Sequence, residues 1–147
     1  MNNALGDSPW MSAREKRLVL QAWVRFLKRG LRSADFTDRL YRHLHLHCRF
    51  IAHYHRAGFY GTYFEQEATV AQFLSQFDRR GECRSVEYGG DGWLQGEYAD
   101  LNRAMVEEGA AYIPAPIEQA QVTERNADLA HAYALLAKHG QRPDEAS

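Results

Sequence analysis

Three observations predict an all-α protein, a compact bundle of about five helices. Apolar residues recur at steps of three and four through most of the chain, which is the period of a helix buried along one side. Glycine or proline punctuates the joins, at Gly30, Gly58, Gly81, Pro114, Pro116 and Gly140. Only one segment, 82–96, departs from this pattern, and it offers at most a short strand or hairpin before the Gly89–Gly92 turn. The 147 residues suit one domain, 1–147, large enough to bury a core without disulfide or metal support. Residues 1–11 and 141–147 are expected to be flexible.

The first helix starts at Ser12. Ser12 and Glu15 form a capping-box pattern directly before an apolar run. At about 100° per residue, Val19, Leu20, Trp23, Phe26, Leu27 and Leu31 share one face. Arg14, Arg17, Gln21, Arg25, Lys28 and Arg32 share the other. A second helix is expected over 35–57, with Phe36, Leu40, Leu44, Cys48 and Ile51 inward and Arg42, Arg49 and Arg56 recurring every seventh residue outward. Gly58 then reads as a left-handed C-terminal cap, opening an aromatic connection through Phe64. A third helix, over 66–80, turns Val70, Phe73, Leu74 and Phe77 inward, and Gly81 ends it. A fourth, over 97–112, has Tyr98, Leu101, Met105 and Tyr112 on its apolar side and is closed by Pro114 and Pro116. A fifth, over 117–138, carries Leu129, Tyr133 and Leu136.

No apolar run is long enough to span a bilayer, and the polar N-terminus has no signal-peptide pattern, so a cytoplasmic location and no membrane partner are expected. Two cysteines, Cys48 and Cys83, are too few for a disulfide framework. Net charge is −1, but it is unevenly divided. Residues 1–56 hold 11 Lys/Arg and 4 Asp/Glu, a balance of +7, whereas 57–147 hold 7 and 15, a balance of −8. Five of the seven histidines also lie in the basic part.

That polarity, with the periodic basic face, points to an anionic partner, either nucleic acid or an acidic protein surface. The residues that would meet it are Arg14, Arg17, Arg25, Lys28 and Arg32, with Arg42, Arg49 and Arg56 continuing the stripe. Rigid helical cations suit phosphate and carboxylate contacts. No helix-turn-helix, zinc-finger or single-strand-binding signature accompanies them, so base-specific reading is not expected. The leading expectation is therefore a small binding module.

Two other readings fit. His43 and His47, four apart on one helix, could both reach a transition metal. The competing explanation is a pair of hydrogen-bonded core histidines, and no His-Glu-x-x-His or di-iron pattern supports the metal. The basic and acidic halves could also meet between copies, giving a homo-oligomer. Tyr54, Tyr60 and Tyr63, beside Phe59 and Phe64, form an aromatic cluster that could line a pocket or close the core. No histidine pairs with an identifiable nucleophile, so enzymatic activity stays an open question.

Overall fold

In a computed structural model, which describes residues 5–48, 50, 55–82 and 96–139, the first helix, α1 (Ala13–Lys28), begins where the capping pattern puts it. Ser12 Oγ accepts the Glu15 N–H at 3.1 Å, and Asp7 accepts the Ala13 N–H at 2.7 Å, so two of the free donors at the helix start are satisfied. The Glu15 carboxylate does not close the box. It turns outward and takes Arg39 Nε at 2.7 Å. At the other end Gly30 N–H bonds Leu27 O and Leu31 N–H bonds Phe26 O, the paired bonds of a Schellman turn. Gly30 adopts φ +92°, where its missing Cβ removes the steric penalty. Leu31 follows at φ +57°, and the buried side chain and a bond from the Tyr60 hydroxyl to its carbonyl hold it there.

Five further α-helices are α2 (Asp38–Arg42), α3 (Arg56–Tyr63), α4 (Glu67–Glu82), α5 (Ala99–Gly109) and α6 (Pro114–Lys138). No strand occurs among the described residues. The architecture is thus all-α. Residues 83–95 of the segment considered for a strand, the tail 141–147, and Arg49, His53, Tyr54 and Trp93 lie outside the described residues.

The second helix is shorter than its periodicity predicts. Thr37 caps α2, which after Arg42 widens into a π-turn over His43–His47, closed by Cys48 N–H to His43 O at 3.0 Å. The wider turn brings His43, Leu44 and Cys48 to the core and leaves Leu46 outside. A separate helix, α3, restarts at Arg56. His55 caps it, its Nδ1 accepting the Gly58 N–H at 3.1 Å. Gly58 is therefore interior to α3 and does not cap a preceding helix, and the aromatic connection is itself helical. Pro114 likewise opens α6 and does not close α5, since a proline at the first helical position loses no hydrogen bond. Gly81 lies within α4.

The core is aromatic. α1 packs against α5 and α2, α2 against α3, α3 against α4, and α4 against α5 and α6. Phe36 meets Phe26, Phe59 and Phe64 with ring centroids 5.2 to 5.7 Å apart, and Phe73 meets Phe50, Tyr63 and Phe64 at 4.3 to 5.0 Å. Such tilted, edge-on and stacked pairs contribute beyond the area they bury. Trp23, fully buried, packs at a tilt against Phe77 and donates its indole N–H to Met105 O of α5 at 2.9 Å. α6 differs. It packs on α4 near its start, but residues 121–139 are all exposed, including Leu129, Tyr133 and Leu136.

The approach of α1 to α5 depends on Gly109. A Cβ there would lie 3.1 Å from Trp23 Nε1, 3.2 Å from Leu27 and 3.3 Å from Ile113. Gly109→Ala should therefore destabilise the protein by about 1–3 kcal/mol, read as a lower midpoint in urea unfolding, because the crowded side chains must leave their preferred positions.

Candidate functional site

Charge pairing inside the fold decides which cations remain for a partner. Lys16 lies on the inner face of α1 and is 1 % exposed. Its ammonium donates to Ser8 Oγ at 2.6 Å and to Asp100 Oδ1 at 2.8 Å. Asp100 also accepts the N–H groups of Gly6 and Leu101. Desolvation would raise its pKa, but these bonds and the Lys16 charge outweigh it and hold the carboxyl below its ordinary range. Asp35, nearly buried, takes Arg29 and Arg32 at 3.2 and 3.3 Å. Asp38 takes Arg42, and Arg56 donates to Phe36 O.

The predicted stripe therefore divides. Arg32, Arg42 and Arg56 have partners within the chain. Arg49 lies outside the described residues. Arg14, Arg17, Arg25 and Lys28 are exposed and make no ion pair among the described residues. These four run along the outer edge of α1 for about 21 Å, from the helical rise per residue. Beside the last two is a hollow of about 640 Å³, lined by Leu20, Gln21, Val24, Arg25, Lys28, Arg29 and Glu108. Its floor is aliphatic and its rim carries three cations and one carboxylate.

His43 and His47 do come together, with ring centroids 5.5 Å apart. His43 is fully buried and its Nε2–H donates to Asn102 Oδ1 at 2.8 Å, an oxygen that also accepts the Cys48 thiol. Its Nδ1 is buried with no hydrogen-bond partner among the described residues. Burial lowers its pKa to about 4; the Asn102 bond opposes that shift and the His47 charge adds to it. His47 is half-buried and stacks on Tyr98 at 4.0 Å. Burial lowers its pKa too, with Glu97 opposing. No group of three His, Cys, Asp or Glu able to hold a metal occurs among the described residues. This is the environment of a neutral, hydrogen-bonded core histidine.

Tyr60 and Tyr63 belong to the aromatic core, each half-buried. Tyr60 donates to Leu31 O at 2.8 Å, and burial, then the nearby Glu65 charge, raise its pKa. Tyr63 packs on Phe59 and Phe73 at 4.9 and 5.0 Å. Tyr54 lies outside the described residues. Among the described residues no helix is long and apolar enough to cross a membrane. Comparison with protein families, with curated proteins and with solved structures finds no match for the chain.

Sequence periodicity missed Lys16 and Asn102. Both were legible in principle, as polar residues in phase with apolar neighbours: Lys16 with Val19 and Trp23, Asn102 with Leu101 and Met105.

A pH dependence follows from His43. Its folded pKa lies below the value of about 6.5 for a free imidazole, so the unfolded chain binds the proton first as pH falls. Stability should be full above that value, decline as pH drops toward 4, and change no further on this account below it. Urea unfolding at pH 7 and at about pH 4.5 should differ by on the order of 2 kcal/mol, and His43→Gln should remove most of that difference.

Proposed function

We propose that the chain is a non-enzymatic binding module whose partner is an acidic protein segment, docked on the outer face of α1. The observation that carries this reading is the set of four exposed cations, Arg14, Arg17, Arg25 and Lys28, that make no ion pair among the described residues while Glu15, Asp35, Asp38 and Asp100 are engaged by other bases. The hollow beside Arg25 and Lys28 supports protein over nucleic acid. Leu20 and Val24 would receive an apolar side chain, and Glu108 on the rim would repel a phosphate. Carboxylates of the partner would meet the guanidinium groups, whose planar donors match them.

Fluorescence anisotropy with three labelled probes tests this: a peptide of alternating glutamate and leucine clusters, polyglutamate, and a short DNA duplex. The glutamate–leucine peptide should bind most tightly, and its affinity should fall as salt rises from about 50 to 200 mM because exposed charges are screened. Reversing Arg25 and Lys28 together, Arg25→Glu with Lys28→Glu, should weaken it by about ten-fold or more, each rim charge contributing on the order of 1 kcal/mol. Tighter binding of the duplex would transfer the site to nucleic acid. Binding indifferent to the reversal would remove α1 as the interface.

A further inference from the structure

The long helix α6 has a face that no other described residue covers. Every residue from 121 to 139 is exposed, and Val122, Leu129, Tyr133, Leu135 and Leu136 are large apolar groups between 38 % and 68 % exposed. At about 100° per residue, Val122, Leu129, Tyr133 and Leu136 fall within a single sector about 60° wide. Of the residues of α6 that line the hollow shared with α4, Ile117, Ala120, Glu124 and Ala127 fall on the opposite side, and Gln121 and Thr123 flank them. The stripe therefore faces away from the body. An isolated helical stretch of this length is marginal in water without packing on one face.

We propose that this face binds a second copy of the chain, with two α6 helices antiparallel about a two-fold axis at Leu129. The spacing of the stripe is self-complementary. Val122, Leu129 and Leu136 are seven apart, the repeat of a two-helix seam, and mirroring them about Leu129 sets Val122 of each copy against Leu136 of the other. The same operation sets Tyr133 of each copy opposite Arg125 of the other. The dimensions suffice for a reversible dimer. Overlap of residues 120–138 gives about 28 Å of helix, and half the circumference of an α-helix is about 17 Å, so roughly 500 Å² is covered on each copy. The total of about 1,000 Å² is the lower bound for a specific interface, as suits a reversible dimer. The basic face of α1 takes no part, so this assembly is independent of the binding reading above.

Sedimentation analysis across a concentration series should show a monomer–dimer equilibrium. Leu129→Glu, which sets two carboxylates against each other at the axis, should weaken dimerisation by about a hundred-fold. Because Leu129 is exposed in the protomer, the helical circular dichroism of the variant should match that of the wild-type chain at concentrations where both are monomeric. Orientation is read by oxidative cross-linking in a Cys83→Ser background, where the remaining Cys48 is buried. Val122→Cys mixed with Leu136→Cys should give a covalent dimer, and Val122→Cys alone should not. A chain that stays monomeric up to about 500 µM, a dimer that survives Leu129→Glu, or cross-linking of Val122→Cys to itself would each overturn the proposal.

Discussion

A lysine ammonium taken out of water must find its partners inside the fold, and Lys16 finds them in Asp100 and Ser8. The cost of desolvating such a charge is several kcal/mol, so the arrangement persists only where the geometry is complete. Here it is completed from three directions. Asp100 sits in the first turn of α5, where the helix dipole favours a carboxylate, and it accepts backbone N–H groups from Gly6 and Leu101. Ser8, which accepts from Lys16, donates its hydroxyl hydrogen bond to Glu97 O, and the Glu97 carboxylate accepts the Trp10 N–H. One ion pair thus draws together the approach to α1, α1 itself and the start of α5. Seven residues further along α1, Trp23 repeats the tie with its bond to Met105 O, and Gly109 gives it room. The register of α1 on α5 is held at both points.

That register sorts the charges. With Lys16 turned inward, and with Asp35, Asp38 and Glu15 engaged by Arg29, Arg32, Arg42 and Arg39, four cations, Arg14, Arg17, Arg25 and Lys28, are left on one edge of α1. The acidic excess further along the chain contributes Asp100 to this pairing; otherwise the basic segment is neutralised mainly by its own acids. The histidine-rich segment follows another logic. A π-turn admits His43 to the core, Asn102 fixes its tautomer, and burial keeps it neutral near physiological pH. Its task is to satisfy Asn102 beneath the π-turn.

Helices whose apolar period matches their burial were legible from sequence. α1 was readable to its cap because Ser12 signals the start and the inward face keeps its apolar period from Val19 to Leu27. α4 was readable for the same reason, through Val70, Phe73, Leu74 and Phe77. Two features escaped because periodicity cannot register them. Residues 35–57 keep a helical period across the break, since the π-turn shifts phase by one residue and His55, an uncommon cap, gives no conventional start signal. Apolar spacing also reports only that a face is to be covered, not by what: in α4 the partner is the body of the same chain, and in α6 the same signal marks a face left open. The basic candidates were recognised by type, but whether each was free depended on tertiary ion pairs that bring together residues as far apart as Lys16 and Asp100.

A double-mutant cycle on Lys16 and Asp100 addresses the organising ion pair most directly, with urea unfolding of Lys16→Met, Asp100→Ala and the two combined. Asp100→Ala alone should cost about 3 kcal/mol, because it strands a buried ammonium, and adding Lys16→Met should restore much of that loss. The coupling should reach on the order of 2 kcal/mol. Additivity within about 0.5 kcal/mol would contradict the account, and would mean that α1 is held on α5 without this pair.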